Sequence, residues 1–216
     1  MSRRVQSGRD STTPLAETCN PQQDPASSRY LELKNPHKLD SLLTFNDDLH
    51  KYTFDHQPLA QSVTAVVSSY FEKFVPEKVV EKMMNGNNWP RPEYTHPDGT
   101  PYLREKILAQ WESIGKLARD NGTLLHADIE AHFNNMDVSS PLPEFKQFVD
   151  FKKEVLDVRG VTPFRTEWRI AAPDLSLGGS VDFVGVAKDG SYVIMDWKRS
   201  KNLPKSIYAS YGKKGR

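Results

Sequence analysis

The sequence has one cysteine, no long apolar run and almost no net charge. A lone cysteine, Cys19, among 216 residues excludes a disulfide framework, a four-cysteine zinc site and a cysteine-ligated iron–sulfur cluster. No apolar run approaches the roughly 20 residues that a membrane-spanning helix needs, and the N-terminus lacks the apolar segment of a secretory signal. We therefore expect an intracellular protein, in the nucleus, the cytoplasm or an organelle, that is neither secreted nor embedded in a membrane.

Charge and hydropathy limit the function further. With 29 Lys and Arg against 28 Asp and Glu, the whole chain exerts no general attraction on nucleic acid, so any basic patch must be local. The mean hydropathy of -0.64 indicates that part of the chain lies outside the core. Residues 1–40 are rich in Ser, Pro, Gln and Asn, a composition typical of disorder. We predict a disordered leader over residues 1–40 and one domain over residues 41–216.

Helical spacing dominates residues 60–157. Ser62 is a predicted N-cap, because apolar residues follow it at the spacing of one helical face. The longest predicted helix covers residues 102–134, with a break expected at Gly122. Ahead of this helical part, residues 41–54 alternate around a polar turn, which predicts a β-hairpin.

The period changes over residues 163–200. The segments RTEWRIAA, SVDFVGVA and SYVIMDWK have the composition of three strands, and Asp189-Gly190 between the last two is a strong hairpin signal. Helices followed by a β-meander predict an α+β fold.

The last predicted strand carries a group of charged residues. Side chains alternate along a strand, so Asp196 and Lys198 share one side while Trp197 points to the other. Asp182 lies on the paired strand, close enough for the two carboxylates to meet. Carboxylates held together need a proton or a cation between them, and Mg²⁺ and Mn²⁺ prefer oxygen ligands. The alternative is an ordinary surface salt bridge on a hairpin.

A histidine and a further acid add to this group. His126 and Glu130 lie one turn apart on one face of the long predicted helix, and an imidazole is a ligand that suits Mn²⁺ beside oxygen donors. Glu167 is a third acid, on the first strand of the meander. Each also has a structural alternative: His126 as a core or surface residue, and Glu167 as a partner of Arg165 or Arg169.

Four motifs occur here in a fixed order: GTLLH, a strand bearing a glutamate, GSVDFVG and IMDWKRSK. Together they resemble the PD-(D/E)xK nuclease superfamily, in particular its RecB-like and lambda-exonuclease-like branch and related proteins of large DNA viruses and phages. The resemblance covers roughly residues 41–216. It implies a restriction-endonuclease-like core, with a central mixed β-sheet flanked by helices.

The resemblance also implies roles for individual residues. The metal ligands would be His126, Asp182, Asp196 and the backbone carbonyl of Trp197, around Mg²⁺ or Mn²⁺. The catalytic residues would be Lys198, Asp182, Asp196 and Glu167. The reaction would be phosphodiester hydrolysis by metal-activated water. Such an enzyme would be a deoxyribonuclease, expected to be an exonuclease in DNA repair, recombination or replication.

The expected partner is DNA, including single-stranded ends, and the candidate phosphate contacts are Arg199, Lys201 and Lys205. The family usually carries a Gln-x-x-x-Tyr helix after the acid-x-Lys strand, and this chain ends at Arg216 before any such helix. We therefore expect a core whose C-terminal part is missing, or a degenerate member. Two alternatives stay open: a catalytically inactive nucleic-acid-binding module, and a carboxylate-based sugar hydrolase, in which the acid-x-Lys strand would have no role.

Overall fold

A computed structural model describes residues 29–46 and 48–200. Within them the elements are α1 (Tyr30–Lys34), β1 (Leu43–Asn46), β2 (Lys51–Phe54), β3 (Gln57–Pro58), β4 (Gln61–Ser62), α2 (Val63–Ser69), α3 (Pro76–Met84), α4 (Arg104–Phe133), α5 (Pro143–Phe151), β5 (Thr162–Ala172), β6 (Leu177–Val186) and β7 (Tyr192–Met195). Short 3₁₀ turns occupy Pro92–Tyr94 and Pro173–Leu175, and a π-helical turn, Lys152–Asp157, extends α5. Residues 1–28, 47 and 201–216, which include Lys201 and Lys205, lie outside the described part.

Two sheets organise the strands. The smaller sheet has the order β1-β2-β3. In the larger sheet β6 is central: it pairs antiparallel with β5 along one side, and with β4 (parallel) and β7 (antiparallel) at its two ends. The larger sheet is therefore mixed, and the predicted α+β class is confirmed. None of the helices among the described residues is both long and apolar enough to cross a membrane.

Helix α4 is 30 residues long and packs against the larger sheet. Its buried residues Leu125, Ile129 and Phe133 recur at intervals of four, which places them on one face. The predicted break at Gly122 is wrong, because α4 continues through it without interruption. A glycine inside a helix costs only about 1 kcal/mol relative to alanine, and apolar packing on the core side outweighs that cost.

An aromatic cluster joins α4, α5 and the sheet. The Phe183 ring is fully buried and lies 4.6 Å from that of Phe133, measured between ring centroids. Phe148 contacts Phe133 at 5.2 Å and Trp197 at 5.6 Å. Trp197 thus packs into the core, on the opposite side from Asp196, as strand alternation predicts. This ring anchors the segment after β7 beside α4.

The predicted disordered leader over residues 1–40 needs correction at its C-terminal end. Residues 29–40 contain α1, and its Leu31 is 3% exposed within the core. Asp40 forms an ion pair with Arg165 of β5, which is 5% exposed. An apolar side chain and a carboxylate with buried partners help to hold this segment, and composition alone does not reveal such partners.

The predicted hairpin at residues 41–54 is confirmed, with β1 and β2 paired in antiparallel register. It docks on the start of β6, where Gly178 leaves room for the Tyr52 ring. A Cβ atom at Gly178 would lie 2.6 Å from Cγ of Tyr52, closer than real atoms approach. The predicted N-cap is also confirmed, since the Ser62 hydroxyl accepts a hydrogen bond from the Ala65 amide at 3.1 Å.

Candidate metal centre

Two acids lie opposite each other in the larger sheet, and a third follows the end of the neighbouring strand. The register of β5 on β6 puts Glu167 opposite Asp182, between the pairs Thr166↔Phe183 and Trp168↔Val181. The β6–β7 register, continued one step past the last pair, Phe183↔Met195, would bring Asp196 towards Asp182, but Asp196 lies beyond the end of β7. Opposite positions on neighbouring strands are about 4.5–5.5 Å apart, so the β5–β6 pairing alone concentrates negative charge at this point of the sheet.

Helix α4 brings His126 to Glu167 and Asp182. Its Nδ1 atom lies 3.3 Å from Oε1 of Glu167 and 3.7 Å from Oδ2 of Asp182. Its Nε2 atom lies 2.8 Å from the backbone oxygen of Trp197. Because that carbonyl can only accept a hydrogen bond, Nε2 carries the proton, and the Nδ1 atom of a neutral imidazole has its lone pair facing the two carboxylates.

The neighbouring carboxylates favour the protonated form of His126, in which Nδ1 also carries a proton and donates to Glu167. Hydrogen bonding to Glu167 raises the pKa of His126 above its ordinary value, and the nearby Asp182 charge adds to the effect while burial opposes it. Burial raises the pKa of Asp182, with repulsion from Glu167 and Asp196 in the same direction. The amide of Trp197 donates to Asp182 Oδ2 at 2.7 Å and partly offsets this rise. Two close carboxylates facing an imidazole nitrogen require a proton or a cation among them.

Glu167 has an unusual backbone. Its φ of 43° lies in the left-handed region, although the residue sits inside the 11-residue strand β5. A non-glycine residue held there costs on the order of 1–3 kcal/mol, and such strain concentrates at functional sites. The Ser180 hydroxyl donates to Glu167 Oε2 at 3.2 Å, which helps to fix the carboxylate in this strained position.

His126, Glu167 and Asp182 together can hold a metal ion. Each offers one ligand atom, and these atoms all lie within 4.8 Å of one another. An imidazole with two carboxylates is a donor set used by divalent ions of the Mn²⁺, Fe²⁺ and Zn²⁺ type, while carboxylates alone suit Mg²⁺. The donor chemistry therefore fits a divalent cation.

Asp196 differs from its predicted place in the ligand set. Its Oδ1 accepts a hydrogen bond from Lys198 Nζ at 2.9 Å, and the two side chains are 60% and 77% exposed. Their spacing on an extended segment puts opposite charges on the same side, where they pair locally. Because β7 ends at Met195, no ladder holds Asp196 against Asp182. The structure groups Glu167, rather than Asp196, with His126 and Asp182.

Trp197 organises the site through its backbone. Its carbonyl, predicted as a metal ligand, accepts the hydrogen bond from His126 Nε2, and its amide donates to Asp182. Since the ring is fixed in the aromatic core, both polar backbone atoms are fixed with it. The sequence indicated this residue through the acid-x-Lys spacing, but could not show which polar atom it would contact.

Arg199, a predicted DNA contact, has an ion-pair partner within the protein. Its guanidinium forms an ion pair with Glu144, in the first turn of α5, at 2.7 Å. Both side chains are partly exposed, at 29% and 25%. The pair links the segment after β7 to α5, and the prediction that Arg199 contacts DNA stays a prediction. The other two predicted contacts, Lys201 and Lys205, are outside the described residues.

Asn134 positions the site and was missed from the sequence. It ends α4, is 3% exposed, and accepts a hydrogen bond from the Leu31 amide through Oδ1 at 2.9 Å. Its Nδ2 donates to Thr166 Oγ1 at 3.0 Å. It therefore ties α4, which carries His126, to the strand that carries Glu167. An asparagine at the end of a helical pattern gives no signal of such partners.

A cleft of about 1360 Å³ opens beside the group and is bounded by α4, β5 and the β1–β2 hairpin. His126 and Glu167 line it, so two of the three candidate metal ligands are accessible from it, while Asp182 lies outside the lining. The hairpin contributes the aromatic residues Phe45, His50 and Tyr52 to its lining. A polymer or small ligand in this cleft would meet both a carboxylate and an aromatic wall.

No family model matches this chain, and neither the curated proteins nor the solved structures contain a match. The chemistry of the site therefore has to be argued from its own geometry.

Proposed function

We propose that the chain is a metal-dependent nuclease that hydrolyses phosphodiester bonds in DNA, with Mg²⁺ or Mn²⁺ held by His126, Glu167 and Asp182. The observation that carries the proposal is the position of His126 Nδ1, at 3.3 and 3.7 Å from two carboxylate oxygens. The acid-x-Lys sequence, from Asp196 to Lys198, begins directly after the neighbouring strand β7. A mixed sheet with helices against it is compatible with a restriction-endonuclease-like core, which we propose as its fold.

The chain's own groups prepare the site for this chemistry. The Trp197 carbonyl holds the Nε2 proton of His126, so Nδ1 is left free to act as a ligand. The Trp197 amide and the Ser180 hydroxyl orient the carboxylates of Asp182 and Glu167. A bound divalent ion would supply an activated water and would offset the charge that develops on the phosphate.

Lys198 has a separate proposed role. Its side chain is exposed, and its ammonium group donates to Asp196 at 2.9 Å. A cation there can attract the substrate phosphate or help orient the attacking water. An exonucleolytic mode, and a role in DNA repair, recombination or replication, rest on the family resemblance alone.

Cleavage of linear DNA by the full chain tests the proposal. Activity should require Mg²⁺ or Mn²⁺, should stop with a chelator, and should fall at least a hundredfold in His126→Gln, Glu167→Gln and Asp182→Asn. Asp174→Asn, an exposed acid at the far end of β5, is the matched control and should cleave like wild type. Cleavage at the wild-type rate by all four variants would reject the proposal.

A second function is favoured by one observation. Asp196 and Lys198 pair with each other at the surface instead of joining the His126 group, which suits a catalytically inactive module that binds nucleic acid. Such a module would bind DNA with the same affinity in His126→Gln as in wild type. It would release no nucleotide with any divalent metal.

A further inference from the structure

We infer that the cleft beside His126 binds an unpaired nucleotide, with a phosphate on Arg169 and the base stacked on Phe45. The inference rests on the proposed nuclease function and names the part of the substrate that this site would recognise. It would make the β1–β2 hairpin a substrate-binding wall.

The size of the cleft is the first observation. Pockets for a single drug-sized ligand have volumes of roughly 300–1,000 Å³, and this cleft has about 1360 Å³. It therefore has room for more than one small ligand. A short stretch of a strand, passing from the hairpin towards His126, fits such a space.

The cations of the cleft are the second observation. Two of its four arginines, Arg29 and Arg165, form ion pairs with carboxylates of the same cleft. Among the described residues, the other two, Arg119 and Arg169, form no ion pair. Arg169 is exposed and lies two positions from Glu167 on β5. A guanidinium without a carboxylate partner can bind phosphate with two parallel hydrogen bonds.

Negative charge in the same cleft limits where a phosphate can sit. Glu130 lines the cleft as well as Glu167, and both repel an anion. Arg169 lies near enough to Glu130 to lower its pKa, although burial raises that pKa overall. A phosphate is therefore favoured at the hairpin side of Arg169, away from the acids.

The aromatic wall is the third observation, and it meets the Arg169 site directly. The guanidinium carbon of Arg169 lies 5.8 Å from the centre of the Phe45 ring. Tyr52 and His50 support that ring, at 4.5 and 5.1 Å between centroids. A base can stack on an aromatic ring only when the face of the base is not covered by neighbouring bases, as it is inside a duplex. This surface therefore favours an unpaired nucleotide.

Binding to the full chain without metal tests the inference. The probes are a single-stranded oligonucleotide, a blunt duplex of the same sequence, and inorganic phosphate, each titrated by calorimetry. The single strand should bind more tightly than the duplex. Arg169→Gln and Phe45→Leu should each weaken single-strand binding by about tenfold, the size of one lost phosphate or stacking contact.

The controls separate binding from folding. Arg159→Gln and Phe71→Leu remove an exposed cation and an exposed aromatic ring outside the cleft, and should leave binding unchanged. Phe45→Trp keeps a stacking surface and should restore affinity if Phe45→Leu loses it. The inference is overturned if Arg169→Gln and Phe45→Leu bind like their controls, or if the duplex binds as well as the single strand.

Failure of this inference is distinguishable from failure of the proposed function. Metal-dependent cleavage that is unaffected by Arg169→Gln and Phe45→Leu would reject the cleft and leave the nuclease proposal standing. Weaker binding in these two variants, in a protein that never cleaves DNA, would support the cleft and reject the nuclease.

Discussion

The ion pair between Asp40 and Arg165 gives the sharpest prediction about the fold. Asp40 accepts hydrogen bonds from both terminal nitrogens of Arg165, at 2.9 and 3.1 Å, and from the Trp168 indole at 3.2 Å. Asp40→Ala would leave the Arg165 guanidinium, whose side chain is 5% exposed, without its counter-charge. Breaking a buried pair on one side costs about 3–5 kcal/mol. Since the Asp40 side chain keeps 19% exposure, we expect the low end, about 3 kcal/mol.

Urea unfolding with an unchanged m-value measures this cost. The matched control is Asp120→Ala, which breaks the exposed Lys116–Asp120 pair on α4 and should cost no more than about 0.5 kcal/mol. Replacing both members, as Asp40→Leu with Arg165→Met, should recover much of the loss, because no buried charge is then left unpaired. A cost for Asp40→Ala equal to that of the control would refute the reasoning, and with it the docking of residues 29–40 on the sheet.

Three further predictions concern the site. The free energy of unfolding should be about 1 kcal/mol higher for Glu167→Gly than for Glu167→Ala, because glycine accepts a positive φ without strain. Equal urea midpoints for the two variants would contradict the strained backbone. Hydrogen bonding to Glu167 raises the pKa of His126 above its ordinary value of 6.5, so protons should compete with Mn²⁺. In calorimetric titrations, Mn²⁺ affinity should fall as the pH drops through that raised pKa, approaching tenfold per pH unit, and a flat profile would contradict the ligand role of His126. Arg199→Gln should lower stability by about 1 kcal/mol through loss of the Glu144 contact and leave DNA affinity unchanged, whereas weaker DNA binding at unchanged stability would support Arg199 as a phosphate contact.

Local periodicity was enough to predict much of the site. Alternation along the last predicted strand separated Trp197, which packs in the core, from Asp196 and Lys198, which stay at the surface. The helical position of His126 and the strand positions of Glu167 and Asp182 followed from the same rules. These predictions succeed because each depends on neighbours within a few residues along the chain or on one short hairpin.

The remaining features depend on partners far apart in sequence. Asp40 meets Arg165 across 125 residues, and Asn134 meets Leu31 across 103, so composition assigned Asp40 and Leu31 to a disordered leader. Glu167, rather than Asp196, joins His126 and Asp182 because the β7 ladder ends at Met195 and because Glu167 has a positive φ. Neither feature leaves a pattern in the residue types.

The central claim is that one imidazole and two carboxylates hold a single divalent ion. Pulsed electron paramagnetic resonance of Mn²⁺ bound to the full chain tests it most directly, because a coordinated imidazole gives a nitrogen coupling. We predict one bound ion with that coupling, its loss in His126→Gln, and much weaker binding in Glu167→Gln and Asp182→Asn. Mn²⁺ that binds equally to all three variants, or binds without nitrogen coupling in wild type, would contradict the account.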